Sequence, residues 1–257
     1  SSKFNAGANR AASDPRCSNP DPWDGNFLNY MTMTRFEITK WVMMGGKCAP
    51  RAVNGTCYPG GKLVAETLER VTSVNNVTAD GLAPYAGTKC FSRDGDNLLV
   101  YDSGCGTNKD TYKINLEIYA EPAGVFQQVG ADKARFGLMV FNKQTGGGSV
   151  QGGDVTAPLG GNMTSMVNAI ENTNATEWTP LSESLYEATR YFAQVAPAYA
   201  NSNYPNNNQN DDPYYYRSPW ASPDQYVKCC KSFVIIFTDG QPTYDTSVPS
   251  TVYDYAH

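Results

Sequence analysis

Two stretches of this 257-residue chain carry side-chain oxygens at places where the backbone can aim them. One is Thr179-Pro180-Leu181-Ser182-Glu183-Ser184-Leu185, a hydroxyl-rich run that opens a helical pattern. The other is Thr238-Asp239-Gly240, directly after the apolar residues Phe233 to Phe237. Hydroxyl and carboxylate oxygens suit hard divalent cations; magnesium takes about six oxygens in near-octahedral array, with water filling the places the protein leaves. Few direct carboxylates keep the ion electrophilic, ready to take a partner's carboxylate as its last ligand. Thr179 and Asp239 are therefore candidate ligands for Mg2+ or Ca2+. Each has a plainer reading beside this one. Thr before Pro is a good helix cap, and Asp-Gly after a strand is a common turn.

The elements around them can be read from periodicity. Phe233-Val234-Ile235-Ile236-Phe237 is apolar on both faces, as a central parallel strand requires. Thr179 as N-cap and Pro180 at the first helical position begin a helix with the stripe Leu181, Leu185, Ala188, Phe192 and Val195. A helix is expected from Phe27 to Met44, on Phe27, Met31, Ile38, Trp41 and Val42, with Gly45-Gly46 as its stop. Shorter helices are expected at Leu63–Val71 and on Met163, Met166, Val167 and Ile170. Ile114, Leu116 and Ile118 alternate with polar residues in a half-buried strand, and Arg135–Asn142 reads as a second. Residues 72–110 read as loop-rich and 145–161 as a Gly-rich loop. Strands alternating with helices imply an open α/β sheet with helices on both faces, whose ligands bind at the carboxyl ends of the strands. Asp239 stands at such an end.

Composition narrows the class. With 20 Lys plus Arg against 25 Asp plus Glu, the net charge is −5, and no basic cluster exists to hold nucleic acid. No apolar run approaches the roughly 18–20 residues that span a bilayer. The seven cysteines, at 17, 48, 57, 90, 105, 229 and 230, show no CxxC spacing. Scattered cysteines fit disulfides formed in an oxidising compartment. Cys48 and Cys57 bracket a short Gly/Pro loop and are expected to pair. Cys229 and Cys230 are adjacent, so each should bond elsewhere, with Cys90 and Cys105 as candidates. The odd count leaves two readings open: a free thiol, or a partner outside this sequence. The start at Ser1, without a hydrophobic leader, is read as a processed or cut end.

Other features carry less. Four N-x-T sequons, at Asn54, Asn76, Asn162 and Asn174, are common by chance in an Asn- and Thr-rich chain. Arg93-Asp94-Gly95-Asp96-Asn97 suggests a calcium loop, but Leu98 takes the next ligand position. His257 is the sole histidine and ends the chain, so the common His-dependent catalytic designs find no support, and no enzyme is expected. Residues 197–232 form a long Asn-, Pro- and Tyr-rich insertion. Within it Tyr214, Tyr215, Tyr216 and Trp220 are candidate partner-binding residues, as aromatics are in paratopes; packing on their own domain is the alternative.

Thr179–Leu185 and the apolar strand ending in Thr238-Asp239-Gly240 resemble two of the three parts of the metal-ion-dependent adhesion site of von Willebrand factor A (VWA) domains. The third part, D-x-S-x-S, is absent: no Asp has Ser at both following positions. A wider resemblance joins these pieces. Trp23-Asp24-Gly25-Asn26-Phe27-Leu28-Asn29-Tyr30-Met31-Thr32-Met33-Thr34-Arg35, then Gly45-Gly46-Lys47, is similar to the signature of PilY-type proteins of type IV pili. Phe126-Gln127-Gln128 with Asp132 to Met139, Ser184 to Phe192, and Phe233 to Pro242 with Asp245, Pro249 and Tyr253-Asp254-Tyr255 resemble further segments of that family, in order. The resemblance implies an α/β, VWA-like (Rossmann-type) open sheet with helices on both faces, incomplete in this chain. It implies an irregular arm at 1–25 and a partial VWA-like domain at 26–257, with insertions at 47–110 and 197–232. It also implies a non-enzymatic pilus-tip adhesin and assembly factor, exported through the periplasm to the cell surface. Its partners would be pilin or minor pilin subunits and a host or surface receptor. A structural capping or bridging protein without a working metal site is the alternative.

Overall fold

Asp24 starts the first helix, α1 (Gly25–Thr32), by accepting the Phe27 N–H at 2.8 Å. The computed structural model describes residues 23–66, 73–130, 133–142, 152–174, 178–199, 231–238, 240–250 and 252. A second helix, α2 (Arg35–Met44), follows at once and ends on Gly45 in the left-handed region, φ 86°. One helix was expected over Phe27–Met44. It is divided because Thr34 and Glu37 form a reciprocal capping box, each side chain bonding the other's backbone N–H, and this starts a new helix. The break also changes the inward face. Phe27 and Met31 of α1 are buried as expected, but α2 buries Lys40, Met43 and Met44 and leaves Ile38, Trp41 and Val42 exposed.

Two short strands come next, β1 (Cys48–Ala49) and β2 (Lys62–Leu63), so the helix expected to start at Leu63 begins instead in a strand. Then β3 (Ser73–Thr78), β4 (Thr88–Asp94), β5 (Asn97–Asp102) and β6 (Asn108–Lys113) form an antiparallel meander. A last short strand, β7 (Leu116–Glu117), pairs with β2. Residues 72–110 were expected to be loop-rich; instead they hold the largest sheet of the described residues. Asp94 faces Asn97 across a two-residue hairpin loop whose first residue, Gly95, has φ 55°, as that turn prefers. The calcium-like loop is thus a hairpin turn, with Asp96 paired to Lys113 at 2.7 Å.

One face of this sheet is covered. Phe91, Leu98 and Val100 point to α1 and make a core with Phe27, Met31, Ala79 and Ala83. Trp23 meets the rings of Tyr85, Phe91 and Tyr112 edge-on. The Tyr85 hydroxyl lies 2.7 Å from both Asp110 and the Tyr112 hydroxyl. Burial first, then those hydrogen bonds, push the Tyr85 phenol well above its ordinary pKa, so it stays a donor.

Two disulfides staple the region. Cys48 and Cys57 are bonded, with Cα atoms 6.0 Å apart, and Gly61 lies against the bridge. A Cβ at Gly61 would sit 2.2 Å from the Cys57 carbonyl oxygen and 2.7 Å from Cys48 Sγ, so only glycine fits there. Cys90 and Cys105 are bonded to each other, Cα atoms 5.3 Å apart, tying β4 to the turn after β5. This corrects the expectation that they serve Cys229 and Cys230; the β4–β5 hairpin already brings them within bridging reach. Cys17, Cys229 and Cys230 lie outside the described residues.

Beside the apolar core is a charged one. Lys40 is fully buried, its Nζ 2.8 Å from Glu66 Oε1 and 4.6 Å from the Phe36 ring centre. Lys47 Nζ reaches Glu66 Oε2 at 3.2 Å. Glu37 accepts the Glu66 N–H at 2.8 Å and faces Arg93 Nη2 at 3.4 Å, while Arg93 also donates to the carbonyls of Thr32, Glu66 and Gly95.

The chain divides into two compact units, Ser1–Pro122 and Ala123–His257. Within the first unit, the sheet of residues 73–113 shares its core with α1.

In the second unit, α3 (Val125–Val129) precedes β8 (Leu138–Phe141) and β9 (Gly153–Ala157), which pair antiparallel. β8 lies within the expected Arg135–Asn142 strand, whereas β9 occupies the expected Gly-rich loop. Next are α4 (Met163–Asn172), capped by Asn162 and burying Met166, Val167 and Ile170, and α5 (Leu181–Phe192). Val155 and Tyr191 are the buried centre of a cluster joined by Met139 and Leu159, and the Leu159 N–H donates to the Tyr191 hydroxyl at 3.0 Å. The described architecture is mixed α/β, and the strand pairs among the described residues are antiparallel. Phe233–Phe237, expected as a central parallel strand, forms no strand among them and its side chains are exposed. No described strand lies beside it to complete its hydrogen bonds.

Candidate functional site: a loop clasped to the start of α5

The helix α5 turns only part of its expected apolar stripe inward: Ala188 is buried and Leu181 and Phe192 are half-buried. Leu185 and Val195 are exposed, while Glu183, Ser184, Glu187, Ala188 and Tyr191 are buried. Positions 183, 184, 187, 188 and 191 are one helical face, and it points inward because each polar group on it has work there. Glu183 Oε1 accepts the Ser247 N–H at 2.9 Å and Oε2 accepts the Gly152 N–H at 3.1 Å. Ser184 Oγ donates to the Gly152 carbonyl at 2.8 Å. Glu187 Oε1 accepts the N–H groups of Ala198 and Tyr199, at 2.8 and 2.9 Å. A buried carboxylate is costly unless hydrogen-bonded, and these two are bonded to backbone from three other segments.

The first turn of α5 is held from a distance. The N-cap position is Pro180, which has no side-chain acceptor, and not Thr179 as expected. Asp245 supplies the missing cap: its two oxygens accept the N–H groups of Ser182 at 2.9 Å and Glu183 at 3.0 Å. These are the donors a helix start leaves open, and a negative charge is favoured there. Thr179 and Thr243 bond reciprocally: the Thr179 N–H donates to Thr243 Oγ1, and the Thr243 N–H to the Thr179 carbonyl, both at 2.9 Å. The rings of Trp178 and Tyr244 meet edge-on, 4.8 Å between centres. The Tyr199 hydroxyl donates to the Ser247 carbonyl at 3.1 Å. Burial, with the charges of Glu183 and Glu187 behind it, holds the Tyr199 phenol above its ordinary pKa, which keeps that donor in place.

Residues 243–247 are thereby strapped across the α5 start. Thr179 is bound by this strap, its backbone meeting the loop that follows Thr238-Asp239-Gly240. Asp239 itself lies outside the described residues, as do Tyr214, Tyr215, Tyr216 and Trp220. Thr238 and Gly240 are in local contact, the Gly240 N–H 3.4 Å from Thr238 Oγ1. Among the described residues no group of three or more His, Cys, Asp or Glu is arranged to hold a metal ion. Sequence reasoning missed Asp245, Thr243 and Glu183 as organising residues. Asp245 is the one with a signal, since it belongs to the family-like run after Gly240.

Asp245→Ala is expected to cost about 1 kcal/mol, the ordinary value of a helix cap. Faster hydrogen exchange at the Ser182 and Glu183 amides, with Asp245→Asn closer to the parent, is the check. Unchanged exchange would remove Asp245 from the cap.

The family model described as PilY1 homolog, small alpha/beta domain, matches residues 1–118. That described as PilY1 homolog, second domain, matches residues 111–256, more than half of the chain. The chain belongs to the PilY1 homologue family. This makes it a type IV pilus-related protein, and the two matched regions follow the two units of the fold. No curated protein and no solved structure matches it. Among the described residues no helix is long and apolar enough to cross a membrane.

Proposed function

We propose that the chain is part of a non-enzymatic, cell-surface adhesin and assembly factor at the tip of a type IV pilus, binding pilin or minor pilin subunits and a surface receptor. The observation that carries this reading is the pair of family matches, which together run from residue 1 to residue 256. Two disulfides accord with export into an oxidising compartment. The second unit is read as a piece of a VWA-like fold, on the Thr179 and Thr238-Asp239-Gly240 motifs and the buried pairing of α4 and α5 with β8 and β9.

The partner surface in this reading is the aromatic group Tyr214, Tyr215, Tyr216 and Trp220. Replacing all four with Ser in a piliated strain is expected to weaken pilus assembly or adhesion and to leave the melting temperature nearly unchanged. A large fall in melting temperature with assembly and adhesion intact assigns the cluster to the core and ends the partner-binding role.

The divalent ion is a separate element of the proposal. Thr179 Oγ1 and the Asp239 carboxylate are its ligands here, and oxygen donors of this kind fit Mg2+ or Ca2+. With no D-x-S-x-S run in the chain, calorimetry is expected to show weak Mg2+ binding that Thr179→Ala abolishes. Binding indifferent to Thr179→Ala would separate Thr179 from any ion. The absent run also favours a second reading, a capping or bridging subunit that holds its neighbours without a metal. Full pilus assembly by Thr179→Ala in the presence of a chelator is the result that reading expects.

A further inference from the structure

The loop closed by the Cys48–Cys57 bridge folds back on its own backbone. The Ala52 N–H donates to the Thr56 carbonyl and the Gly55 N–H to the Ala52 carbonyl, both at 2.8 Å. Arg51 Nη1 donates to the Gly55 carbonyl at 2.7 Å, and the Glu121 carboxylate accepts the Cys57 and Tyr58 N–H groups. Residues 52–55 are thus a turn standing at the surface, with Val53 98% exposed and Asn54 exposed beside it.

Asn54-Gly55 is the one Asn-Gly step in the sequence. The backbone nitrogen after an asparagine can reach its side-chain amide carbon by closing a five-membered ring, and a glycine, having no Cβ, leaves that approach open. Charge would then develop on Asn54 Oδ1. That oxygen already accepts the Thr56 N–H at 3.1 Å and the Thr56 hydroxyl at 2.8 Å. Two donors placed on a carbonyl oxygen stabilise the oxyanion formed when its carbon is attacked. The Arg51 cation, held on the Gly55 carbonyl, stands beside the nitrogen that must lose its proton; Glu121 is 4.0 Å from the same Arg51 nitrogen. Asn76 and Asn162 are placed otherwise. Asn76 precedes the β-branched Val77 and its Oδ1 accepts the Gly104 N–H, while Asn162 precedes Met163 and caps α4.

We propose that Asn54-Gly55 is a self-modifying site, where the Gly55 nitrogen displaces ammonia from the Asn54 side chain and water opens the ring that results. In the first step the Gly55 nitrogen gives its proton to solvent and bonds to Asn54 Cγ. The Cγ–Nδ2 bond breaks, and Nδ2 leaves as ammonia. Water then adds to one of the two carbonyls of the cyclic imide. One opening gives an aspartate; the other gives an isoaspartate, whose main chain runs through the side-chain carbon. Either product makes the net charge of −5 more negative by one. The isoaspartate also lengthens the backbone by one atom inside a disulfide-closed loop, which re-aims Val53. The site needs no metal and does not depend on the adhesin reading.

Keeping the folded chain in heavy-oxygen water at mildly alkaline pH, with peptide mass mapping over time, tests it. Heavy oxygen is expected at residue 54 well before it appears at Asn76 or Asn162, with isoaspartate as the larger product. Thr56→Val, which removes the hydroxyl donor, should slow the uptake by about three- to tenfold, the worth of one hydrogen bond. Thr56→Ser should keep the parent rate, and Asn54→Gln should abolish uptake at that position. Conversion at residue 54 no faster than at Asn76 and Asn162 overturns the proposal. Uptake that Thr56→Val leaves unchanged overturns it too, since the loop would then add nothing to the dipeptide.

Discussion

Replacing Lys40 with Ala is expected to destabilise the Ser1–Pro122 unit by about 3–5 kcal/mol, the usual cost of removing one member of a buried ion pair. Lys40 is fully buried and its ammonium is 2.8 Å from Glu66 Oε1. That oxygen receives no well-aligned hydrogen bond, so the lysine charge is what compensates its burial. Lys47 reaches only the other oxygen. Without Lys40 the Glu66 carboxylate must draw in water, take up a proton or leave the interior. Any of these loosens the Glu66 backbone, which bonds Glu37 and Arg93. Hydrogen exchange at Phe91, Leu98 and Val100, in the core of the same unit, reads the effect. The double variant Lys40→Met with Glu66→Leu should recover most of the loss, because it removes both charges and keeps the volume filled. Lys113→Ala, in an exposed pair with Asp96, should move stability by less than about 1 kcal/mol. A Lys40→Ala protein as stable as its parent would show that the buried pair contributes nothing net.

The same residues show which parts of the structure a linear reading reaches. α4 and α5 are legible because apolar residues recur at helical spacing within a dozen positions. The cap at Thr34 is legible in principle, since Thr34 and Glu37 spell a capping box; the apolar spacing from Phe27 to Val42 runs across it and hides the break. The sheet of residues 73–113 is hidden for another reason. One face of it meets α1 and the other is largely polar, so apart from the disulfide-bonded Cys90 only Phe91, Leu98 and Val100 carry fully buried apolar side chains along β4 and β5. Edge strands such as Ser73–Thr78 and Asn108–Lys113 read as loop by composition. The inward face of α5 is beyond a periodicity argument altogether. Its leucine stripe marks one side, but Glu183 and Glu187 find their partners in Gly152, Ala198, Tyr199 and Ser247, and no local pattern announces them. The candidate site was half legible for the same reason: Thr179 stands out beside Pro180, whereas the Asp245 cap arrives from 62 residues away.

Glu183→Ala is expected to undo that site more thoroughly than any single change in the loop. The carboxylate accepts two backbone N–H groups from segments distant in sequence, Gly152 before β9 and Ser247 in the strap. Truncation leaves both donors without their acceptor, at about 1–3 kcal/mol each, and opens the space the side chain filled. Two consequences should appear together. The amides of Gly152 and Ser247 should exchange faster by similar factors, because one group holds both. The strap should loosen along its length, carrying Thr243 off Thr179 and weakening the Asp245 cap on Ser182 and Glu183. Glu183→Gln distinguishes the hydrogen bonds from the packing: it keeps the volume and one acceptor oxygen, and turns its amide donors toward the other N–H. Its effect should therefore be intermediate, with one of the two amides still protected. If Glu183→Ala leaves Ser247 protected while Gly152 opens, the loop is held without Glu183, by Asp245, Thr243, Tyr244 and the Tyr199–Ser247 bond. The buried glutamate then belongs to the packing of α5 on the β8–β9 pair and not to the placing of the loop that follows Asp239.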